Sequence, residues 1–424
     1  AAAASVSAAP ASAQAPAASH PASGQGVADF YRARPGRLLW FAQPGRQADV
    51  LLELLASSRL DGLDPGKYRL DVLAKAVRSA RSGNRGAVRR ADAMLSQALV
   101  GYVRDLKQPR DLGVVYVDPQ LRPAPPSARA ILEAAAAAPS LERHLATMGW
   151  MHPIYGELRH ALVSRPLSPQ QRELGRINLE RARELPAGGG RHVVVNAAAQ
   201  RLDMYDNGRV VDSMRVVVGK PKYPTPMMSA LIRFAALNPY WFVPPDLAAE
   251  RIAPNVVKLG ARYLRERGYQ VVDDFVPNPK IYDPSVIDWK AVAEGRSTVL
   301  IRQLPGPHNA MGRMKFMFPN SEGIYLHDTP EKELLSEAAR LFSGGCVRLE
   351  DAPRFGRWLF GRPLDPKGAS AEQKVELDRP VAVYLTYLTA VPEGSGLAFF
   401  DDIYGRDATR LAQLRSGSAF AASR

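Results

Sequence analysis

The feature that most constrains the fold is a change of period at Pro186-Ala187-Gly188-Gly189-Gly190. Before it, apolar residues recur at helical spacing. Leu95, Leu99, Tyr102 and Leu106 fall on one face of Asp92–Leu106, a stripe that a helix must bury against a neighbour. Ala48–Ser57 and Leu70–Arg81 read the same way, with the breaker-rich turn Asp61-Gly62-Leu63-Asp64-Pro65 between them. Ser168-Pro169 marks a further helix start, and that helix runs to about Leu185. After residue 190 the period becomes that of strands. His192–Asn196, Arg201–Tyr205 and Val210–Val218 are β-branched or alternating runs, and Asn207-Gly208 between the last two is a strong hairpin signal. Similar runs follow at Ile232–Leu237, Thr298–Arg302, Met314–Phe318, Ile324–Leu326, Val381–Leu388 and Leu397–Phe400. The expectation is an α+β chain, with a helical N-terminal domain over 25–186 and a β-rich, largely antiparallel domain over 187–412.

Residues 245–297 interrupt the strand pattern. Leu247–Ile252 and Val256–Arg267 are helix-like, and Pro277, Pro279 and Pro284 follow in irregular sequence. An excursion of that length from a β-domain reads as a mixed lid or capping subdomain. Residues 1–24 are almost all Ala, Ser, Pro, Gly and Gln. They bury too little to offset their ordering entropy and read as a flexible tether; residues 413–424 read as a tail. The formal charge is +14, which suits an anionic polymer such as a bacterial wall. No zinc-finger spacing, basic recognition helix or aromatic–basic interleaving is present, so nucleic acid is not the expected partner. No run approaches the roughly 18 apolar residues of a membrane helix.

The chain has one cysteine, Cys346. It sits in Phe342-Ser343-Gly344-Gly345-Cys346-Val347-Arg348-Leu349, downstream of Ile324-Tyr325-Leu326-His327-Asp328-Thr329. Taken alone, a single Cys is most often a small buried apolar residue, and a strand-end His most often a satisfied core residue. The surroundings favour chemistry instead. Two glycines ahead of the Cys let the backbone turn tightly and leave N–H groups to face an oxyanion. Arg348 adds positive charge beside the sulfur, which would favour thiolate. His327 closes an apolar strand 19 positions earlier, where a sheet can aim it.

Together these segments resemble the signature of the L,D-transpeptidase (YkuD-domain) family. In that signature a His is followed by one residue, 14–17 more, and then Ser/Thr-His-Gly-Cys, a hydrophobic residue and Asn or Arg. Here Asp328 is the single residue, 329–342 supply the interval, and Ser343 opens the Cys motif. Larger members with a helical N-terminal part and a capping subdomain are similar at Asn178-Leu179-Glu180-Arg181, Val217-Val218-Gly219-Lys220, Thr225-Pro226, Asn238-Pro239-Tyr240-Trp241, Asn309, Lys315-Phe316 and Asp402-Ile403-Tyr404-Gly405-Arg406-Asp407. The chain departs from the family at Gly344, which stands where the motif usually has His.

The resemblance implies a periplasmic enzyme and a two-step acyl transfer. Cys346 attacks a peptide carbonyl of a peptidoglycan stem, His327 takes the thiol proton, and a second stem attacks the thioester. The cross-link implied is 3–3 between diaminopimelate residues, with L,D-carboxypeptidase action, D-amino-acid exchange, 1–3 linkage or a non-catalytic wall-binding role as alternatives. It implies that the Asp328 backbone carbonyl orients the imidazole. Backbone N–H groups at Gly345 and Cys346 and the Tyr325 hydroxyl are the oxyanion candidates. Ser343, Gly344, Arg348 and Asn309 are candidate substrate contacts, although Arg348 also reads as a support for the Cys loop and Asn309 as a turn residue. Asn238, Tyr240 and Trp241 read as packing under the lid, and His308 as a loop residue. Carbapenem β-lactams are implied as covalent inhibitors. No metal or cofactor is expected.

Overall fold

A computed structural model describes residues 21–276, 278–394 and 396–422. Residues 1–20 of the expected tether lie outside the described residues, and its last four open a helix, Pro21–Arg32. The chain divides into two compact units.

The first comprises residues up to 58, 64–105 and 125–145. It is helical, with Gln47–Ala56, Leu70–Arg81 and most of Arg85–Leu106 at its centre. Leu51, Leu55, Leu95, Leu99 and Tyr102 have no exposed surface, as their spacing requires. Asp92 is also buried. Its carboxylate accepts the backbone N–H groups of Leu39 (3.0 Å) and Trp40 (2.8 Å) and the Tyr31 hydroxyl, which satisfies a charge that would otherwise be costly to bury.

The second unit comprises 59–63, 106–124 and 146–424. It includes the helices Pro153–Ser164 and Pro169–Ala182, which were expected on the helical side of a boundary at 186. They pack with the sheet for a chemical reason. Asn178 donates to the Thr389 hydroxyl (2.9 Å) and accepts the Thr389 N–H (2.8 Å), and Arg181 pairs with Asp407. The helix from Pro169 starts with a capping box between Ser168 and Gln171.

The main sheet runs, in spatial order, 115–116, 228–237, 314–317, 326–327, 347–349, 209–219, 201–206, 192–196 and 373–386. The last strand also pairs with 228–237, so the sheet closes on itself and hides its edges. The hairpin at Asn207-Gly208 forms as expected. The sheet is largely antiparallel, as expected, but 115–116 with 228–229, 326–327 with 347–348, 341–343 with 218–219, and 382–386 with 192–196 are parallel pairs. The segment read as a tail from 413 continues the helix Arg406–Ala422.

The excursion has a core of its own. Strands Trp241–Val243, Leu300–Gln303, Tyr269–Val272 and Ile281–Tyr282 form a four-stranded antiparallel sheet. Val243, Leu247, Ile252, Leu264, Trp289 and Ile301 bury together against it. The capping unit therefore reaches to 241 and 303, beyond 245–297. Its first helix widens to a π-turn over Ala248–Ile252. Pro254 lacks the N–H that would bond the Glu250 carbonyl, and its ring crowds that carbonyl.

Candidate functional site

The site is built by one parallel pairing of two short strands. Leu326 pairs with Val347 and His327 with Arg348, and the Val347 N–H donates to the Tyr325 carbonyl (3.1 Å). Side chains alternate across a strand. Leu326, Val347 and Leu349 point into the barrel core and are fully buried. Tyr325, His327, Cys346 and Arg348 consequently share the opposite face. All four line a cavity of about 760 Å³ whose other wall is the capping unit, at Trp241, Leu247, Arg251 and Tyr263. Cys346 immediately precedes the strand Val347–Leu349 and His327 closes its parallel partner, so both open onto the same cavity.

Each of the two groups is held. The His327 Nδ1–H donates to the Asp328 carbonyl at 2.5 Å, which leaves Nε2 with its lone pair. The ring is 1% exposed. Burial and the Arg348 charge lower its pKa to about 3, so it is neutral near pH 7. The Cys346 thiol donates to the Gly323 carbonyl at 3.4 Å. It is partly accessible through the cavity mouth, yet dense packing round the sulfur raises its pKa to about 11, against the lowering effects of the Tyr325 N–H, Arg348 and Lys315. Arg348 does lower the thiol pKa, as expected, but burial outweighs it, and the resting pair is neutral thiol and neutral imidazole. Burial also raises the Tyr325 phenol, which keeps a proton to donate.

The Cys loop is braced from inside. The Ser343 hydroxyl donates to the Cys346 carbonyl (2.6 Å) and accepts the Gly345 N–H (3.2 Å). Ser343 is thus a brace, and the Gly345 N–H is committed to it, so the expected oxyanion donors reduce to the Cys346 N–H and the Tyr325 hydroxyl. Gly345 has φ +114°, a conformation that favours glycine. Thr225, which is fully buried, donates to the Gly345 carbonyl at 2.8 Å and accepts the Gly219 N–H at 2.9 Å. The sequence marked Thr225-Pro226 without a role; this bond is the role. Gly344 is exposed to the cavity, and a Cβ there would meet Leu247 Cδ1 at 3.2 Å. The cap occupies the place a side chain at 344 would need.

Other expected site residues do not reach the cavity. Asn309 is 1% exposed, and its amide donates to the Pro239 (2.9 Å) and Leu304 (3.0 Å) carbonyls and accepts the Met311 N–H (2.7 Å); it is a turn residue, not a substrate contact. Asn238 likewise donates to the Pro366 and Ala369 carbonyls. Lys315 is buried beside Glu372 at 3.4 Å and over the Tyr325 ring at 5.3 Å. Trp241 and His308 do line the cavity. So do Arg251, Arg267, Glu322 and Glu331, which sequence reasoning passed over because charged residues usually mark solvated surface. Among the described residues no group of His, Cys, Asp and Glu is arranged to hold a metal ion.

Residues 190–365 match the family model of the L,D-transpeptidase catalytic domain (YkuD), and residues 25–162 match that of a scaffold domain. Over 238 residues the chain is 31% identical to a Haemophilus influenzae protein whose name assigns it to the L,D-transpeptidases; the match covers 54% of this chain and 47% of that one. The chain thus spans about half the length of that curated relative. Two solved structures overlap it at a TM-score of 0.22, too low to carry weight: an L,D-transpeptidase from Mycobacterium smegmatis (16% identity, 47% of this chain, 59% of that one) and the Ldtfm–avibactam carbamoyl enzyme (14%, 48% and 51%). By these two matches the chain is similar to the L,D-transpeptidase catalytic-domain family over residues 190–365, behind a scaffold-domain match over residues 25–162.

Proposed function

We propose that the protein is a cysteine acyltransferase that cross-links peptidoglycan stem peptides in the periplasm, forming 3–3 links between diaminopimelate residues. The observation that carries this reading is the parallel register that brings Tyr325, His327, Cys346 and Arg348 to one face under the cap. A neutral thiol beside a neutral imidazole calls for general-base attack. As the Cys346 sulfur approaches the donor carbonyl, its proton passes to His327 Nε2, and the Asp328 carbonyl stabilises the imidazolium that forms. The Cys346 N–H and the Tyr325 hydroxyl face the developing oxyanion; losing one such donor typically costs about 10²–10³ in rate. His327 then protonates the leaving amine, and a thioester remains. An acceptor amine attacks it and restores the thiol. The catalytic-domain match over residues 190–365, the +14 charge and the Ala/Pro-rich composition of residues 1–24 support an exported, wall-associated enzyme.

The test is mass spectrometry of products from a disaccharide-tetrapeptide incubated with the protein and with Cys346→Ala. Cross-linked dimers made only by the unchanged protein support the proposal. Tripeptide alone makes it an L,D-carboxypeptidase, and a 1–3 link changes the donor bond. Carbapenem labelling, read by intact mass, should vanish in Cys346→Ala. An unlabelled protein with a demonstrably reduced thiol would leave a non-catalytic wall-binding role.

A further inference from the structure

The +14 charge is not spread evenly along the chain. Between Asp71 and Asp92 stand Lys75, Arg78, Arg81, Arg85, Arg89 and Arg90, with no acidic residue among them. Residues 72–91 thus carry six of the net charges, where an even spread would place less than one. All belong to the helical unit. Arg78 and Arg81 end the helix Leu70–Arg81, and Arg85, Arg89 and Arg90 open the helix Arg85–Leu106. Only Ser82-Gly83-Asn84 join the two helices, so the Arg81 and Arg85 Cα atoms are at most about 14 Å apart. Arg85 and Arg89 lie one turn apart on the same face.

All six cations are exposed. Of the six, Arg81 alone has a carboxylate partner among the described residues, Asp49 at 2.6 Å. The first turn of Arg85–Leu106 holds no acidic residue, so cations crowd the positive end of a helix and repel one another there. That arrangement works against folding, and a partner that brings negative charge relieves it. The opposite faces of both helices are filled, by Leu73, Val77 and Ala80 on one and by Ala87, Ala91 and Leu95 on the other. The charged corner is therefore convex, the outside of two joined helix ends. Among the described residues the large exposed apolar side chains all fall elsewhere, from Val163 onward. The corner is built to adsorb on a surface, not to insert into one.

We propose that this corner docks the protein on a bilayer surface that bears anionic phospholipid headgroups. Five of the six cations are Arg, whose planar fork takes two phosphate oxygens at once. A single polymer strand is gripped best in a groove, whereas a convex corner meets a flat array of headgroups with several side chains together. Without an apolar anchor the attachment is electrostatic. Each cation near such a surface is worth about fivefold in binding, and the attraction fades beyond a Debye length of about 10 Å at 0.1 M salt. The docking surface is independent of the chemistry at Cys346 and would hold whatever that site does.

The test is co-sedimentation of the full-length protein with vesicles of phosphatidylcholine, alone or mixed with about one-third phosphatidylglycerol. Unchanged protein should pellet with the mixed vesicles at low salt, stay in solution with phosphatidylcholine alone, and be released at about 0.5 M NaCl. Arg85→Gln/Arg89→Gln/Arg90→Gln should weaken binding to the mixed vesicles roughly 100-fold, about fivefold for each cation. Arg209→Gln/Arg265→Gln/Arg362→Gln removes the same charge from exposed positions of the other unit and should weaken it less than about fivefold. Equal weakening by the two variants would show that net charge alone matters and overturn the proposal. So would equal pelleting with both kinds of vesicle, or no pelleting with either. Retention on isolated sacculi with none on the anionic vesicles would give the corner to the wall polymer and overturn it as well.

Discussion

Alkylation of the single thiol tests the charge state of the site directly. With a pKa near 11, Cys346 at pH 8 is ionised to about one part in a thousand, whereas an unperturbed cysteine of pKa about 8.5 is about one quarter thiolate. Only thiolate alkylates, so ionisation alone slows the reaction about 200-fold. A more basic thiolate is about tenfold more nucleophilic over this interval, and the net deficit is about 20-fold. Because the chain has one cysteine, intact-mass spectrometry after iodoacetamide gives the rate without mapping. The rate should rise about tenfold per pH unit from 7 to 10 and level off only near 11. Arg348→Gln removes a charge that lowers the thiol pKa and should slow alkylation further. A rate that is flat from pH 6 to 8 and matches or exceeds that of free cysteine would reveal a standing thiolate–imidazolium pair. General-base attack would then be the wrong mechanism.

Two further outcomes follow from buried groups elsewhere in the same unit. Asp61 is fully buried and accepts the Tyr155 hydroxyl (2.6 Å) and Arg159 Nε (2.9 Å); Asp61→Ala leaves that cation uncompensated and should cost about 3–5 kcal/mol in urea unfolding, and a loss below about 1 kcal/mol would contradict the network. His152 and His192 meet Nε2 to Nε2 at 3.1 Å, and burial holds them at about 3 and about 4. Below pH 6.5 the unfolded chain takes up protons that these folded imidazoles refuse, so stability present above pH 6.5 is lost as pH falls towards 4. The loss at pH 5 is about 2 kcal/mol per imidazole. Equal unfolding midpoints at pH 7 and pH 5 would refute this.

What was legible in the sequence was mostly local. The Asn207-Gly208 hairpin, the Ser168-Pro169 helix start and the helical stripe at Leu95–Leu106 each depend on neighbours within a few residues, and each is found. The Cys346–His327 motif was legible because its residue types and spacing are unusual for a core. The parallel pairing that brings the two together was not, since two- and three-residue strands carry no period and parallel partners are distant in sequence. Asn309 misled because an amide that caps a turn and one that binds substrate look alike until its partners are known. The charge of Arg348 acts on the thiol as its position suggested, but the packing that outweighs it is not visible in the sequence. Thr225 acts only through the fold.

The strands through which the chain enters and leaves the capping unit are hydrogen-bonded neighbours, with Trp241 opposite Gln303. The roof over the cavity thus leaves and rejoins its host at points about 5 Å apart. A segment anchored in this way can be lengthened, swapped or excised with only a short splice, and the barrel strands beneath keep their register. Floor and roof are free to change on separate evolutionary schedules, so the contacts made from above can diverge while the sulfur and imidazole below stay where they are.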